Sequence, residues 1–365
     1  MAEMVRAAVQ TAPRKIEIQE FPRPTIGADD GLLRIEANGI CGSDVEQYKG
    51  HLFRGSAVVP GHEPLGIIEE IGDKAAERWG VSVGDRVALE ILVPCHHCQA
   101  CITGRYQACP RRAASHGYTP ITQAPSLWGG LAEYTYLAPG SIVHPVSKDL
   151  PAEVAVMFNP LAAGVRWAVH LGGAEVGSTV LVLGAGQRGL AAVIAAKAAG
   201  AGTVIVTGLS SDAHKLELAR QFGADHTIVV DEEDTVARVL ELTDGVGVDI
   251  VLELTPMALG PVGDALAAAR HGGRIVLAGL KGGRMAEISP DHVINRSLTL
   301  VGAYGVDSRA YAESIRIIES GRAPVADMHT HSVSLDDTEA AIQLLAGERP
   351  GEPAIHVSVH PSLSS

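Results

Sequence analysis

In the first part of the chain, short apolar runs are cut every few residues by glycine, proline and aspartate. Residues 32–35, 66–71 and 86–92 are such runs, and turn formers on either side of them predict β-strands joined by tight loops. Near Pro151 the texture changes. From there alanine-rich stretches of helical spacing alternate with β-branched runs. The pattern predicts strands over 179–183, 203–206, 226–230, 249–254, 274–278 and 298–301, and helices over 190–199, 213–222, 235–242 and 262–269. That βαβ rhythm builds a doubly wound parallel sheet, here of six strands, with helices on its faces. After Gly302 residues 308–320 read as a helix with Tyr311, Ile315 and Ile318 on one side, and residues 354–359 return to strand-like text. An α/β chain follows, divided into a β-rich domain over 1–159, a doubly wound domain over 160–302, and a segment over 303–365 that rejoins the first.

Composition narrows the class. A chain of 365 residues exceeds what one ordinary core organises, and 46% hydrophobic with 19% charged residues supplies core for two domains. The net charge of −13, with no lysine- or arginine-rich cluster, gives no grip on nucleic acid or anionic lipid. Charges and Pro13 stand where a signal peptide would need an unbroken apolar core, and no later uncharged apolar run is long enough to span a bilayer. A cytoplasmic protein is expected, touching neither nucleic acid nor membrane. In that reducing compartment five cysteines serve metal or catalysis rather than a disulfide framework.

Their spacing decides between the two. Cys95, Cys98, Cys101 and Cys109 form C-x2-C-x2-C-x7-C in a polar stretch, which lets one loop wrap a tetrahedral zinc ion. His96 and His97 are bystanders. Four thiolates leave no open position, so this zinc is structural and catalysis lies elsewhere.

The run VLVLGAGQRGL sets Gly184, Gly186 and Gly189 as G-x-G-x-x-G between a predicted strand and an alanine-rich helix, with Gln187 and Arg188 inside the turn. In that context the motif is a dinucleotide site, with the helix N-terminus facing the pyrophosphate. Arg188 is either an exposed surface cation or a contact for pyrophosphate or an anionic substrate. The second strand of such folds usually ends in an acidic residue that grips the adenosine ribose. Here the tip reads Val206, Thr207, Gly208. Asp212 serves the ribose if the turn is long, while Ser210, Ser211 and Lys215 serve a 2′-phosphate, so NAD is favoured over NADP only slightly.

The fifth cysteine lies in GICGSD and a histidine in GHEPLG. Singly, Cys41 reads as a small core residue and His62 as a turn histidine. Together, beside a zinc loop and a dinucleotide turn, they read as a catalytic zinc site. With VGDRV at residues 83–87, these motifs resemble, in order and over nearly the whole chain, the zinc-dependent medium-chain dehydrogenases/reductases, which include alcohol, sorbitol and threonine dehydrogenases. The resemblance implies a GroES-like catalytic domain and a Rossmann domain. It implies that Cys41 and His62 ligate the catalytic zinc, that Glu63 enters and leaves its shell, that Asp44 orients His62, and that Ser43 hydrogen-bonds the substrate oxygen.

Two positions depart from the family pattern. Asn159 stands where the third ligand is a cysteine or carboxylate, and Glu46 stands where many members place a relay histidine. The resemblance further implies interconversion of an alcohol, secondary or cyclic, and its carbonyl with NAD or NADP, in a homodimer or homotetramer pairing near residues 298–303. A double-bond reductase with a weakened or absent catalytic zinc, and a non-enzymatic dinucleotide-binding protein, are the alternatives. Tyr48, Phe53 and Trp128 are candidate pocket walls, with a place in the core or on the surface the safer reading of any one of them.

Overall fold

Strand Gly31–Ile40 organises the first unit: it is buried along most of its length and pairs with three other strands. In a computed structural model, which describes residues 3–350 and 353–363, the chain forms two compact units. They comprise Met1–Asn159 with His329–Ser365, and Pro160–Met328.

In the first unit one sheet runs in the order His329–Val333, His356–Val359, Gly31–Ile40, Pro64–Ile71, Arg86–Leu89, Val143–Pro145, and Tyr134–Leu137 also pairs with Gly31–Ile40. The tail rejoins this unit through strand His356–Val359, where Val357 lies opposite Ile40. Leu33, Ile35, Ile68, Val87, Leu89 and Leu137 form one of its cores, as alternation along half-buried strands requires. Arg86 shows what the VGDRV segment is for. Its buried guanidinium takes Glu36 with two nitrogens at 2.7 and 3.2 Å and donates to the carbonyls of Ser147 and Leu150 at 3.0 and 2.7 Å. It thereby ties the sheet to the segment that leads into the next helix.

Tyr48 and Trp128 are core residues rather than pocket walls. Tyr48 packs with Val45, Leu131 and Ile342, its hydroxyl donating to Glu339 at 2.9 Å, and Trp128 packs with Val93, Ala114 and Ala138. Both are large rings with one polar atom, and each finds a partner for it inside the fold: the Trp128 indole donates to Gln123 at 2.8 Å.

In the second unit six parallel strands stand in the order His226–Val229, Thr203–Gly208, Thr179–Leu183, Val248–Glu253, Ala269–Leu277, Thr299–Gly302. This is the doubly wound order, with the first strand of the unit at the switch point. Helix Ser308–Glu319, expected with the returning segment, belongs here, and the return falls at His329. Its buried face, Tyr311, Ile315 and Ile318, is reinforced by polar ties to the preceding helical run: Arg166 pairs with Asp307 and His170 with Glu313 at 2.8 Å. Residues Ala152–Leu171 are long and apolar enough to cross a bilayer, but 72% of that window is buried inside the protein, as in a core helix.

Replacing Arg86 by leucine strands the Glu36 carboxylate and two carbonyls. The variant is expected to lose about 3 kcal/mol of stability, and an unchanged urea midpoint would refute that role for Arg86.

Candidate active site

The four-cysteine loop closes on itself. Sulfur–sulfur distances are 3.5 Å for Cys98–Cys101 and Cys109–Cys95, 3.8 Å for Cys98–Cys109 and 3.9 Å for Cys95–Cys101. A tetrahedral zinc with Zn–S bonds of about 2.3 Å needs sulfurs about 3.8 Å apart, so the cage has the size of that ion. The thiols cannot all ionise unaided. Backbone N–H groups of His97 and Cys98 hold Cys95 down to about 6, whereas burial and three thiol neighbours push Cys101 up to about 12. A dication removes that conflict. His96 turns away, its Nε2 2.9 Å from the Gly140 carbonyl oxygen.

A second donor set is assembled from the ends of two paired strands. Strand Gly31–Ile40 leads into Cys41, and His62 and Glu63 immediately precede strand Pro64–Ile71, with Asn38 opposite Pro64. The Cys41 sulfur, a His62 nitrogen and a Glu63 oxygen all lie within 4.8 Å of one another, and all three residues are buried. Thiolate, imidazole and carboxylate are the donors zinc takes, and three of them leave a position open.

Asp44 sets their aim. Its Oδ2 accepts the Cys41 backbone N–H at 2.9 Å, capping the short helix Gly42–Tyr48, and its Oδ1 lies 3.1 Å from His62 Nδ1. With Nδ1 occupied, Nε2 is the nitrogen left for a metal. Burial opposes charging the His62 ring, but Asp44, with Tyr118 beside it, outweighs that and raises the imidazole well above its usual range. Ser43 Oγ lies 3.3 Å from both Cys41 Sγ and His62 Nε2.

Gly39 is required here. A Cβ on it would stand 2.3 Å from Glu63 Oε2 and 3.1 Å from His356 Nε2, so the carboxylate fills the space a side chain would take. Asn159 is fully buried and donates from Nδ2 to the His62 carbonyl at 3.4 Å. Glu46 turns outward to His51, with 2.5 Å between Oε2 and Nδ1. Sequence reasoning missed His51, Tyr118 and His356. The first stands only five residues past Glu46, a local spacing that could have been noticed, while the other two arrive through tertiary contacts.

In the second unit the glycine turn joins strand Thr179–Leu183 to helix Gln187–Ala198, whose N-cap is Gly186. Gly184 has φ +107, which only glycine adopts without strain, and its N–H donates to Thr207 Oγ1 at 3.3 Å. A Cβ on Gly189 would meet the Gly184 carbonyl oxygen at 2.0 Å, so helix and strand approach as a dinucleotide turn requires. Arg188 is half-buried, and its guanidinium carbon lies 5.4 Å from the Trp167 ring centroid. Beyond Gly208, Asp212 accepts the Leu209 N–H at 3.3 Å and pairs with Lys215 at 2.7 Å. Asp231, unnoticed in the sequence, follows the third strand and holds Ser210 by its backbone N–H and hydroxyl.

Residues 27–148 match the family model described as alcohol dehydrogenase GroES-like domain, and residues 189–320 the one described as zinc-binding dehydrogenase. The chain is 47% identical over 358 residues to a probable alcohol dehydrogenase of Mycobacterium tuberculosis, covering 97% of each. It is 33% identical to the erythritol/L-threitol dehydrogenase of Mycolicibacterium smegmatis, covering 99% of this chain and 98% of that one. The sorbitol dehydrogenase of Bacillus subtilis is 32% identical, with 93% of each covered. Among solved structures, a Sinorhizobium meliloti protein described as a zinc-binding dehydrogenase and bound to NADP superposes with a TM-score of 0.85. It is 27% identical, and the match covers 98% of this chain and all of that one. Neither the double-bond reductase nor the non-enzymatic alternative is favoured by these relatives. With two family models spanning both units and full-length relatives that are dehydrogenases, the chain belongs to the zinc-type medium-chain dehydrogenases/reductases, enzymes that work with zinc and NAD(P).

Proposed function

We propose that this enzyme interconverts a secondary or cyclic alcohol and its ketone, with a catalytic zinc on Cys41, His62 and Glu63, a structural zinc on the four-cysteine loop, and the dinucleotide at the Gly184 turn. The observation that carries the reading is the buried thiolate, imidazole and carboxylate set, aimed by Asp44 and overhung by Ser43. When bound, zinc supplies Lewis acidity toward the carbinol oxygen and the nicotinamide supplies the hydride acceptor.

The chain's own groups manage the proton and the geometry. Ser43 Oγ, within 3.3 Å of two ligand atoms, accepts the hydroxyl proton of the substrate while passing its own proton on toward the face of the helix that carries Glu46. Glu46 follows one turn later on the same helix, and with His51, which is exposed, it hands the proton to water. Asn159 brings a neutral amide where an anionic ligand is usual, so this zinc is held less tightly than the one among four thiolates. Around the adenosine end, Asp212 and Asp231 outnumber Lys215. That balance suits a ribose hydroxyl better than a 2′-phosphate, and NAD is the preferred cofactor.

Two further expectations complete the reading. All five cysteines are free of disulfides, which suits a cytoplasmic enzyme whose thiolates hold metal. Strand Thr299–Gly302 ends the sheet order, Leu280, Met285, Ile294 and Tyr304 of the same unit are exposed, and a second copy pairing along this edge gives a homodimer or the half of a tetramer.

Elemental analysis is expected to find two zinc ions per chain. Mild chelation should remove one with the activity, leaving thermal stability largely intact. Cys41→Ser is expected to keep one zinc and lose at least about a hundredfold in kcat/KM; full alcohol oxidation by that variant would sink the mechanism. Gly39→Ala, by displacing Glu63, should release the weaker zinc at lower chelator concentration than wild type does, and equal release curves would count against Glu63 as a ligand. Glu46→Gln and His51→Gln should each lower kcat about tenfold or more near neutral pH, with KM little changed and the deficit shrinking in alkaline buffer. A deficit constant with pH would refute the relay.

A further inference from the structure

A pocket of about 200 Å³ opens in the first unit, with Leu52, Phe53, Val58, Pro120, Tyr118 and Arg54 on its walls. Of the three rings expected as pocket walls, only Phe53 is found there. Tyr118 joins this pocket to the zinc-ligand set: its ring centroid is 5.6 Å from that of His62 and its hydroxyl 3.5 Å from His62 Nδ1. The pocket and the donor set therefore share a wall.

Arg54 is the only charged residue lining the pocket, and no lining residue is acidic. Among the described residues no carboxylate pairs with it. Arg6, Arg14, Arg23, Arg34, Arg78 and Arg86 of the same unit each sit on an acidic partner, while Arg105 and Arg111, like Arg54, have none among the described residues; of these three Arg54 is the one that lines this pocket. The segment that carries it is shaped by Gly50 and Gly55, both in the left-handed region with φ +96 and +80. A guanidinium offers a planar fork of donors matched to carboxylate and phosphate oxygens, and apolar walls strengthen such a pair relative to open water. The protein as a whole, at −13, repels anions. A local cation left unpaired beside the site is what an anionic substrate needs to overcome that repulsion, and a neutral alcohol gains nothing from it.

We infer that the alcohol taken by this enzyme carries an anionic group, a carboxylate or a phosphate monoester, which Arg54 binds while the carbinol reaches the zinc-ligand set. The inference rests on the dehydrogenase reading above and names its substrate class.

Two matched pairs of alcohols test it on the zinc-loaded enzyme with NAD and NADP: 2-butanol against 3-hydroxybutanoate, and 1,2-propanediol against glycerol 1-phosphate. At least one anionic member should exceed its neutral counterpart in kcat/KM by about tenfold or more, chiefly through KM, and the advantage should shrink at high salt. The pair that shows the preference distinguishes carboxylate from phosphate. Arg54→Gln should abolish the preference by raising KM for the anion, Arg54→Lys should restore part of it, and both should melt with wild type because the side chain is exposed and unpaired. If neutral members are oxidised as well as or better than both anions, or if Arg54→Gln keeps the preference, the inference falls and the dehydrogenase reading stands. If no member of either pair is oxidised, the dehydrogenase reading fails and takes the inference with it.

Discussion

One buried carboxylate holds the site together. Asp44 is almost fully enclosed, and a charge so placed is tolerated only with donors on its oxygens. It takes one from the backbone of Cys41, three residues before it, and faces a ring nitrogen of His62, eighteen residues after it. The first contact starts a helix and the second fixes a tautomer. Local capping and long-range side-chain placement are thus the same interaction, and neither Cys41 nor His62 can drift without uncapping the helix or unpairing the charge. The strand register does the coarse positioning: Asn38 opposite Pro64 brings Cys41 and Glu63 to neighbouring strand ends, and a slip by one residue would turn the alternation of both strands inside out.

How much of this was legible follows from the range of each interaction. The six parallel strands fall within a few residues of where the pattern placed them, because buried strands write their burial as continuous β-branched text. The four-cysteine loop was legible because it is local. Arg86 was visible as part of a motif, but its hold on Ser147 and Leu150 was not, since nothing near residue 86 marks those carbonyls. Tyr48 and Trp128 were left between pocket wall and core for a related reason. An aromatic ring in a turn-rich stretch looks the same whether it lines a pocket or fills a core. The apolar face of helix Ser308–Glu319 announced that the helix packs; its partner, the 165–171 run, is chosen by Arg166 and His170, which carry no signal of their own in sequence.

The two units divide the chemistry between them. Each metal-donor cluster found lies in the first, and the glycine turn with its flanking acids lies in the second. Each unit supplies what its architecture makes easily. Paired antiparallel strand ends bring residues distant in sequence to one point, which suits a mixed ligand set. A parallel strand running into a helix presents backbone N–H groups together, which suits a pyrophosphate.

The pairing of His356–Val359 with Gly31–Ile40 has a consequence for biosynthesis. The strand that leads into Cys41 is made before the second unit, and its neighbour on one side is made after it. Until that neighbour emerges, the nascent first unit carries an open strand edge while the intervening unit is made. The order of synthesis therefore has the first unit close only after the second has been made, and until then its strand edge is open to pairing with other chains.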